Sequence, residues 1–249
     1  MEGDQPQYVD ALVIKGDKID FVGSSDEAMQ VAGPNHKMVN LEGKTLLPGF
    51  IDAHTHVVAG SIVDSIMDYV GMARFGTAAE VLEYMTRKAA VTPAGEWLVF
   101  RNFDPAVQTG PSALTFAELD AVSTEHPVFV MNASGHLAYA HSKAFEASGI
   151  PSDVENPPGG EFVRDAQGNL TGTIKNNVAF LQIASNYPAM AVANPVDGLI
   201  GLLDKWSAVG LTTVSELSLG ALSQSPADVD VMAGAAQSGR LKARIRAYP

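Results

Sequence analysis

The fold is decided by residues 46–58, LLPGFIDAHTHVV. Pro48-Gly49 precedes an apolar run whose polar residues come only at its far end, a pattern typical of a buried strand. Because successive side chains of a strand alternate faces, we expect His54 and His56 to point the same way. Two imidazoles on one face at the carboxyl end of a core strand can hold a divalent metal. An isolated His-x-His pair also arises by chance, so the pair alone leaves a structural role open.

Composition narrows the class of protein and its partners. The 249 residues are 46% hydrophobic and 18% charged, which fits one large α/β domain or one domain with a smaller companion. The formal net charge of -12 argues against nucleic acid or an anionic membrane as a partner. The chain has no cysteine, which excludes a disulfide scaffold and thiolate metal ligands. The acidic opening MEGDQ differs from a signal peptide, so we expect a cytoplasmic protein.

Local patterns divide the chain into a strand-rich start, a long middle segment and a regular end. Residues 60–190 are too many for a plain connection between two parallel strands, which predicts an insertion there. After them, apolar spacing alternates between helix and strand, as in βα units. The predicted elements are a hairpin over 7–23, a helix opened by a Ser24–Glu27 capping box, strands over 38–41 and 45–47, a helical region over 60–92 that contains a second capping box at Thr77 and Glu80, strands over 97–100 and 127–131, a helix over 142–148, and βα units with strands over 211–216 and 241–247.

Residues 48–56, PGFIDAHTH, resemble the first barrel strand of the amidohydrolase superfamily, whose enzymes hydrolyse C–N and related bonds at one or two metals. The segments around residues 95–104, 127–144 and 158–172 are similar to the amidohydrolase-3 branch, which contains N-substituted formamide deformylase-like enzymes. The chain is therefore identified as the amino-terminal portion of a member of this branch.

The resemblance implies an α/β fold, specifically a partial metal-dependent-hydrolase TIM barrel that contains only its first strands. A closed barrel needs eight strands, and three can be counted here. The implied divisions are a piece of a small composite β-sandwich over 1–47, the first barrel strand with its metal motif over 48–59, an insertion subdomain over 60–190, and the second and third βα units over 191–249.

Site residues follow from the same resemblance. His54 and His56 correspond to the first two ligands of a divalent metal, expected to be zinc, with one or two ions. His136 falls on the Gly-His pair of the family and either lines the substrate pocket or caps the neighbouring helix. Glu216, at the carboxyl end of a barrel strand, either orients substrate, binds metal or is a plain strand-end carboxylate. Asp104 is the remaining substrate-binding candidate.

Lys175 has two interpretations. Superfamily members with two metals often bridge them with a carboxylated lysine on the fourth strand, and a count of every strand makes residues 173–175 that strand. If residues 60–190 are an insertion, the bridging lysine lies beyond Pro249, and Lys175 is a surface residue; we favour this count. His141 stands where relatives usually have asparagine, and we expect it at the surface.

The implied reaction is hydrolysis of a non-peptide C–N bond, such as an amide, formamide or cyclic imide, in a small-molecule substrate. A metal-activated water attacks, and a general-base aspartate is expected beyond Pro249. Full-length superfamily members often form homodimers. The alternative is a catalytically inactive fragment or degenerate binding module, since the sequence contains only two strong metal ligands. We expect the 249-residue chain alone to be inactive.

Overall fold

A computed structural model describes residues 8–220 and 225–248, which divide into two units at Pro48. Residues 1–7 of the predicted composite domain lie outside the described residues. The strands are β1 (Ala11–Lys15), β2 (Lys18–Gly23), β3 (Phe50–Thr55), β4 (Asp68–Tyr69), β5 (Leu98–Phe103), β6 (Val128–Asn132), β7 (Leu137–Ala140), β8 (Glu161–Arg164), β9 (Leu170–Lys175), β10 (Leu211–Leu217) and β11 (Arg244–Tyr248). The helices are α1 (Ser25–Ala32), α2 (Val57–Ile66), α3 (Ala78–Ala89), α4 (Phe116–Asp120), α5 (Ser142–Ala147), α6 (Asn177–Ala184), α7 (Pro188–Val192), α8 (Pro195–Ala208) and α9 (Ala227–Gln237).

The first unit contains the predicted hairpin and helix. β1 and β2 pair in antiparallel fashion around a turn at Gly16, whose φ of +66° suits a residue without a side chain. Ser24 is the N-cap of α1: its hydroxyl accepts a hydrogen bond from the backbone N–H of Glu27, and the Glu27 carboxylate accepts one from the backbone N–H of Ser24. Both elements depend on local sequence, which explains why the pattern predicts them.

The strands predicted over 38–41 and 45–47 are wrong. The turn between them forms, because the N–H of Lys44 donates to the carbonyl of Leu41 at 3.0 Å. No strand forms on either side of this turn, and residues 36–48 contain neither helix nor strand. A strand needs a partner to complete its ladder of hydrogen bonds, and the described residues of this unit supply none. Residues 8–48 therefore form one two-stranded sheet and one helix where a sandwich piece is expected.

In the second unit, β3, β10 and β11 form a parallel sheet in the order β11-β10-β3. α8 precedes β10 and α9 precedes β11, so the sheet is built from βα units. Apolar residues of α2, α8, α9 and β10, and the residue that precedes β11, pack together in one core cluster. The fully or nearly buried members are Val57, Val58, Leu199, Ile200, Leu203, Val214, Ala235 and Ala243.

β3 is less buried than the sequence predicts. Phe50 is 60% exposed and Ile51 is 70% exposed, whereas burial begins at Thr55 and Val57. The reason is position: β3 lies at one edge of the three-stranded sheet, and among the described residues only β10 pairs with it. The apolar sequence therefore correctly indicates a strand, but the strand begins at Phe50 and its first residues are exposed.

The other sheet has six strands in the order β4-β5-β6-β7-β9-β8 and lies within the segment predicted as an insertion. β4, β5 and β6 are parallel, and β7, β8 and β9 add antiparallel pairs. Alternate residues of β6 face opposite sides: Phe129 packs with α5 and α6, and Val128 and Val130 pack with α3 and α4. Both faces are thus covered, which accounts for the near-continuous apolar sequence of β5 and β6.

The region predicted as helical over 60–92 is two helices interrupted by a strand. α2 ends at Ile66, β4 follows at once, and α3 begins only after Thr77. Thr77 and Glu80 form a capping box, which restarts a helix after the irregular stretch over 70–76. None of the helices in residues 8–220 and 225–248 combines the length and apolar character that crossing a membrane requires.

Candidate metal centre

His54 and His56 lie side by side where β3 ends and α2 begins. β3 ends at Thr55, so His54 is a strand residue and His56 is the N-cap of α2, with φ -126° and ψ 79°. The centroids of the two rings are 5.3 Å apart and their planes are at 89°. The His54 side chain is exposed, and the His56 side chain retains 37% of its accessible surface.

The spacing of these rings fits a shared metal ion. Zinc–nitrogen bonds of about 2.0–2.1 Å at tetrahedral angles place two imidazole centroids about 5 Å apart. The observed 5.3 Å matches that separation, and neutral imidazole is a ligand of zinc and of several other divalent metals. Within residues 8–220 and 225–248, however, no group of three or more His, Asp or Glu side chains is placed to hold a metal. The two histidines are thus half of a usual ligand set.

Glu216 extends from β10 to this junction. Its register partner in β3 is Thr55, and only 2% of the residue is exposed. One carboxylate oxygen, Oε1, lies 3.4 Å from Nδ1 of His56, and Oε2 accepts a hydrogen bond from the N–H of Val58 at 3.2 Å. Beside it, the Thr55 hydroxyl donates to the carbonyl of Ser215 at 2.9 Å. Three side-chain contacts, two of Glu216 and one of Thr55, therefore join β10 to the strand–helix junction that carries the histidines.

Alternation along β10 explains why this carboxylate faces inward. Val214 and Glu216 are the two buried residues of the strand, and their neighbours Thr213 and Ser215 are partly exposed. Two residues apart, they share one face of the strand, and the core position of Val214 directs that face inward. The sequence identified Glu216 as a candidate from its strand-end position alone.

Asp52 is a polar residue of this site that the sequence analysis did not select. Its Oδ1 accepts a hydrogen bond from the backbone N–H of His54 at 3.1 Å. The signal was present, because Asp52 and His54 are two residues apart in one strand and share a face. This signal is easily missed because Asp52 stands within an apolar run, which predicts a buried strand.

The structure places Asp104 and His136 on the six-stranded sheet. Asp104 follows β5, and its Oδ1 accepts a hydrogen bond from the N–H of Ala106 at 3.0 Å. His136 is exposed in the turn between β6 and β7, where its carbonyl accepts a hydrogen bond from the N–H of Asn176 at 2.7 Å. β5 and β6 run parallel, so both residues come at the carboxyl side of this sheet. Neither joins His54 and His56 in a metal-binding group.

His141 is the helix-capping histidine, and the expectation that it lies at the surface is wrong. It is 2% exposed and is the N-cap of α5, where its Nδ1 accepts a hydrogen bond from the N–H of Lys143 at 2.7 Å. Its other ring nitrogen, Nε2, donates to the carbonyl of Ser123 at 2.7 Å. Both ring nitrogens are thus paired, which allows the imidazole to be buried.

Lys175 is an exposed residue at the end of β9, and its Nζ pairs with Glu161 Oε2 at 2.9 Å. β9 pairs in antiparallel fashion with β7 and β8 in the six-stranded sheet. It is therefore no member of the parallel sheet that contains β3. Residues 173–175 therefore lie in a different sheet from His54.

Comparisons with known proteins identify the family of this chain. A model of the amidohydrolase family, from the amidohydrolase-3 branch, matches residues 37–247. The chain is 32% identical over 209 residues to the N-substituted formamide deformylase of Arthrobacter pascens, which covers 83% of this chain and 38% of that protein. It is 28% identical over 218 residues to the exoenzymes regulatory protein AepA of Pectobacterium carotovorum, which covers 86% of this chain and 46% of that protein.

A solved structure has a similar fold. An uncharacterized metal-dependent hydrolase from Pyrococcus horikoshii superposes with a TM-score of 0.55 at 20% identity, over 96% of this chain and 44% of that one. The chain thus spans less than half the length of each of these relatives. Because the family model covers most of the chain, the sequence belongs to the amidohydrolase family, amidohydrolase-3 branch.

Proposed function

We propose that this chain is the amino-terminal part of a metal-dependent hydrolase that cleaves a non-peptide C–N bond in a small molecule. The candidate substrates are amides, formamides and cyclic imides. The observation that carries the proposal is the pair of imidazoles at the end of β3, 5.3 Å apart, in a chain of the amidohydrolase family.

His54 and His56 would hold a divalent ion, for which zinc is our first choice because both donors are imidazoles. When bound, such an ion polarises the scissile carbonyl and lowers the pKa of the attacking water. The chain's own contribution is to fix both rings: His54 through β3, and His56 through α2 and Glu216. His136, Asp104 and Glu216 were the predicted substrate-binding residues, and for His136 and Asp104 this role remains part of the proposal.

The proposed architecture is a TIM barrel of which β3, β10 and β11 are the first three strands. Their parallel order and the helices α8 and α9 between them support it. The six-stranded sheet would then be an insertion between the first and second strands, over 60–190, and residues 1–47 would contribute to a composite domain. We propose that the remaining strands, metal ligands and general-base aspartate belong to sequence beyond Pro249. The cytoplasmic location and the homodimer also remain predictions.

The test uses the complete open reading frame that contains these residues. The protein, loaded with zinc or manganese, is assayed against formamides, simple amides and cyclic imides, and its metal content is measured by mass spectrometry. We expect hydrolysis of at least one class, and loss of metal and activity in His54→Ala and His56→Ala. His36→Ala, which changes an exposed histidine of the first unit, is the matched control and should keep both. A protein that is inert on all three classes, with metal content unchanged in His54→Ala, would refute the proposal.

The alternative is that the 249-residue chain by itself is an inactive fragment or a binding module. One observation favours it: within the described ranges 8–220 and 225–248, no third carboxylate or imidazole completes a metal-binding group. Titration of the purified 249-residue chain with zinc distinguishes the two. Weak, easily chelated binding without hydrolysis supports the alternative for this chain, and tight stoichiometric binding with turnover rejects it.

A further inference from the structure

We propose that Glu216 is a positioning residue of the metal centre, which holds His56 in the orientation and tautomer that leave Nε2 free for the ion. The proposal deepens the proposed function and rests on it, because it gives His56 the role of a ligand. It goes further in assigning Glu216 to the histidine, whereas the strand-end position alone allowed contact with substrate or metal.

A hydrogen bond joins the two residues. Glu216 Oε1 lies 3.4 Å from His56 Nδ1. A carboxylate only accepts hydrogen bonds, so Nδ1 of the imidazole carries the hydrogen, and the lone pair of a neutral ring is then on Nε2. Histidines that bind metals commonly donate their other N–H to a carboxylate, which fixes the ring and raises the basicity of the ligating nitrogen. Glu216 supplies that arrangement from a neighbouring strand.

The carboxylate of Glu216 is itself firmly held. Glu216 is 2% exposed, so its orientation is set by protein groups rather than by water. Its Oε2 accepts the N–H of Val58, in the first turn of α2, where no side chain of the N-cap residue His56 takes the capping role. A negative charge at this end of a helix is also favoured by the helix dipole. One side chain thus caps α2 and orients the histidine that precedes it.

A competing role for Glu216 is that of a metal ligand. Both oxygens of Glu216 are already engaged, one by His56 and one by Val58. Each oxygen has a second lone pair, but a metal ion on it would draw electron density away from the hydrogen bond that the oxygen already accepts, and the Val58 N–H is buried. The positioning role keeps both hydrogen bonds at full strength, whereas the ligand role weakens at least one of them.

The experiment measures the tautomer of His56 in the metal-free full chain by nitrogen–carbon correlation NMR of the imidazole rings, and zinc affinity by competition with a chelator. The variants are Glu216→Gln and Glu216→Ala. The matched control is Asp64→Asn. Asp64 is another largely buried carboxylate; it lies in α2 and pairs with Arg101 and Lys205. Thermal unfolding of each variant establishes that it folds; Glu216→Gln, close in shape, keeps the test valid if Glu216→Ala does not fold.

The expected results differ among the variants. Wild-type His56 carries its hydrogen on Nδ1. In Glu216→Gln the side chain has only one acceptor oxygen for the N–H groups of Val58 and His56. The backbone N–H of Val58 always carries its hydrogen, whereas the hydrogen of a neutral imidazole can move to the other ring nitrogen. The amide oxygen should therefore accept from Val58, and the amide NH2 should donate to Nδ1 of His56. The tautomer of His56 should therefore invert, and zinc affinity should fall about ten- to a hundredfold. Glu216→Ala should lose as much affinity, and Asp64→Asn should retain the wild-type tautomer and affinity.

Two outcomes overturn the proposal. One is a wild-type His56 with its hydrogen on Nε2. The other is loss of zinc in the Glu216 variants with no change of tautomer, which would make Glu216 a ligand. The tautomer is read without metal, so it tests the Glu216–His56 contact even if the protein hydrolyses nothing. Failure of the proposed function, seen as a wild-type protein that binds no metal, is thereby separated from failure of this inference.

Discussion

Gly172 lies within β9 with a φ of +91°, and a Cβ added to it would be 2.7 Å from the carbonyl oxygen of Ala140 and 2.8 Å from the Phe116 ring. Gly168 has a similar φ of +87°, but its added Cβ would meet no atom within 4 Å. We predict that Gly168→Ala lowers the free energy of unfolding by about 1 kcal/mol, from backbone strain alone. Gly172→Ala adds a steric clash and should cost about 3 kcal/mol. Urea unfolding checks both; equal losses would contradict the account.

His141 provides a second prediction for a single residue. His141→Ala removes the acceptor for the Lys143 N–H and the donor for the Ser123 carbonyl in a buried position, and should cost about 2 kcal/mol. His141→Asn keeps a good N-cap and should recover part of that loss. The measurement is the urea midpoint at constant slope. A His141→Ala variant as stable as wild type would show that the imidazole contributes nothing to α5.

These residues also show where prediction from sequence succeeds and where it stops. His54 and His56 were identifiable because their spacing and the surrounding motif lie within one short stretch. The buried state of His141 was not, because it depends on the Ser123 carbonyl, which is 18 residues away. The contact of Glu216 with His56 spans 160 residues, so only its strand-end position could be predicted.

Among the elements, α3 allows a direct test of local stabilisation. The Thr77 hydroxyl accepts the N–H of Glu80, and the Glu80 carboxylate accepts the N–H of Thr77 at 3.0 Å. Thr77→Ala should lower the free energy of unfolding by about 1 kcal/mol. Thr86→Ala, in the middle of the same helix and exposed, should be neutral or slightly stabilising because alanine favours helix. Comparable losses in the two variants would mean that the capping box has no special effect.

Helix starts were predicted more accurately than strands for a physical reason. The capping boxes at Ser24 and Thr77 need only residues three positions apart, and both form. The predicted strands over 38–41 and 45–47 needed a partner strand, which the described part of the first unit does not contain. A strand prediction therefore depends on information that the local sequence lacks.

For the whole molecule, the exposed edge at β3 allows a test between two hypotheses: that β3, β10 and β11 belong to a barrel, or that they form an independent small sheet. Ile51 is 70% exposed in the 249-residue chain, on a strand with one free edge among the described residues. We predict that this chain self-associates, and that Ile51→Lys reduces the association, as seen by sedimentation velocity. In the complete reading frame, the proposed barrel would bury Ile51, so the same substitution should lower the thermal stability there. If Ile51→Lys reduced the association of the 249-residue chain and also left the thermal stability of the complete protein unchanged or higher, the barrel would be contradicted.

The central claim is that His54 and His56 hold a metal ion, and anomalous diffraction at the zinc edge tests it most directly. Crystals of the complete protein, grown with zinc, should give an anomalous peak about 2.0–2.1 Å from Nε2 of His56 and from a ring nitrogen of His54. A peak at another place, or a well-ordered pair of imidazoles with no peak between them, would contradict the account.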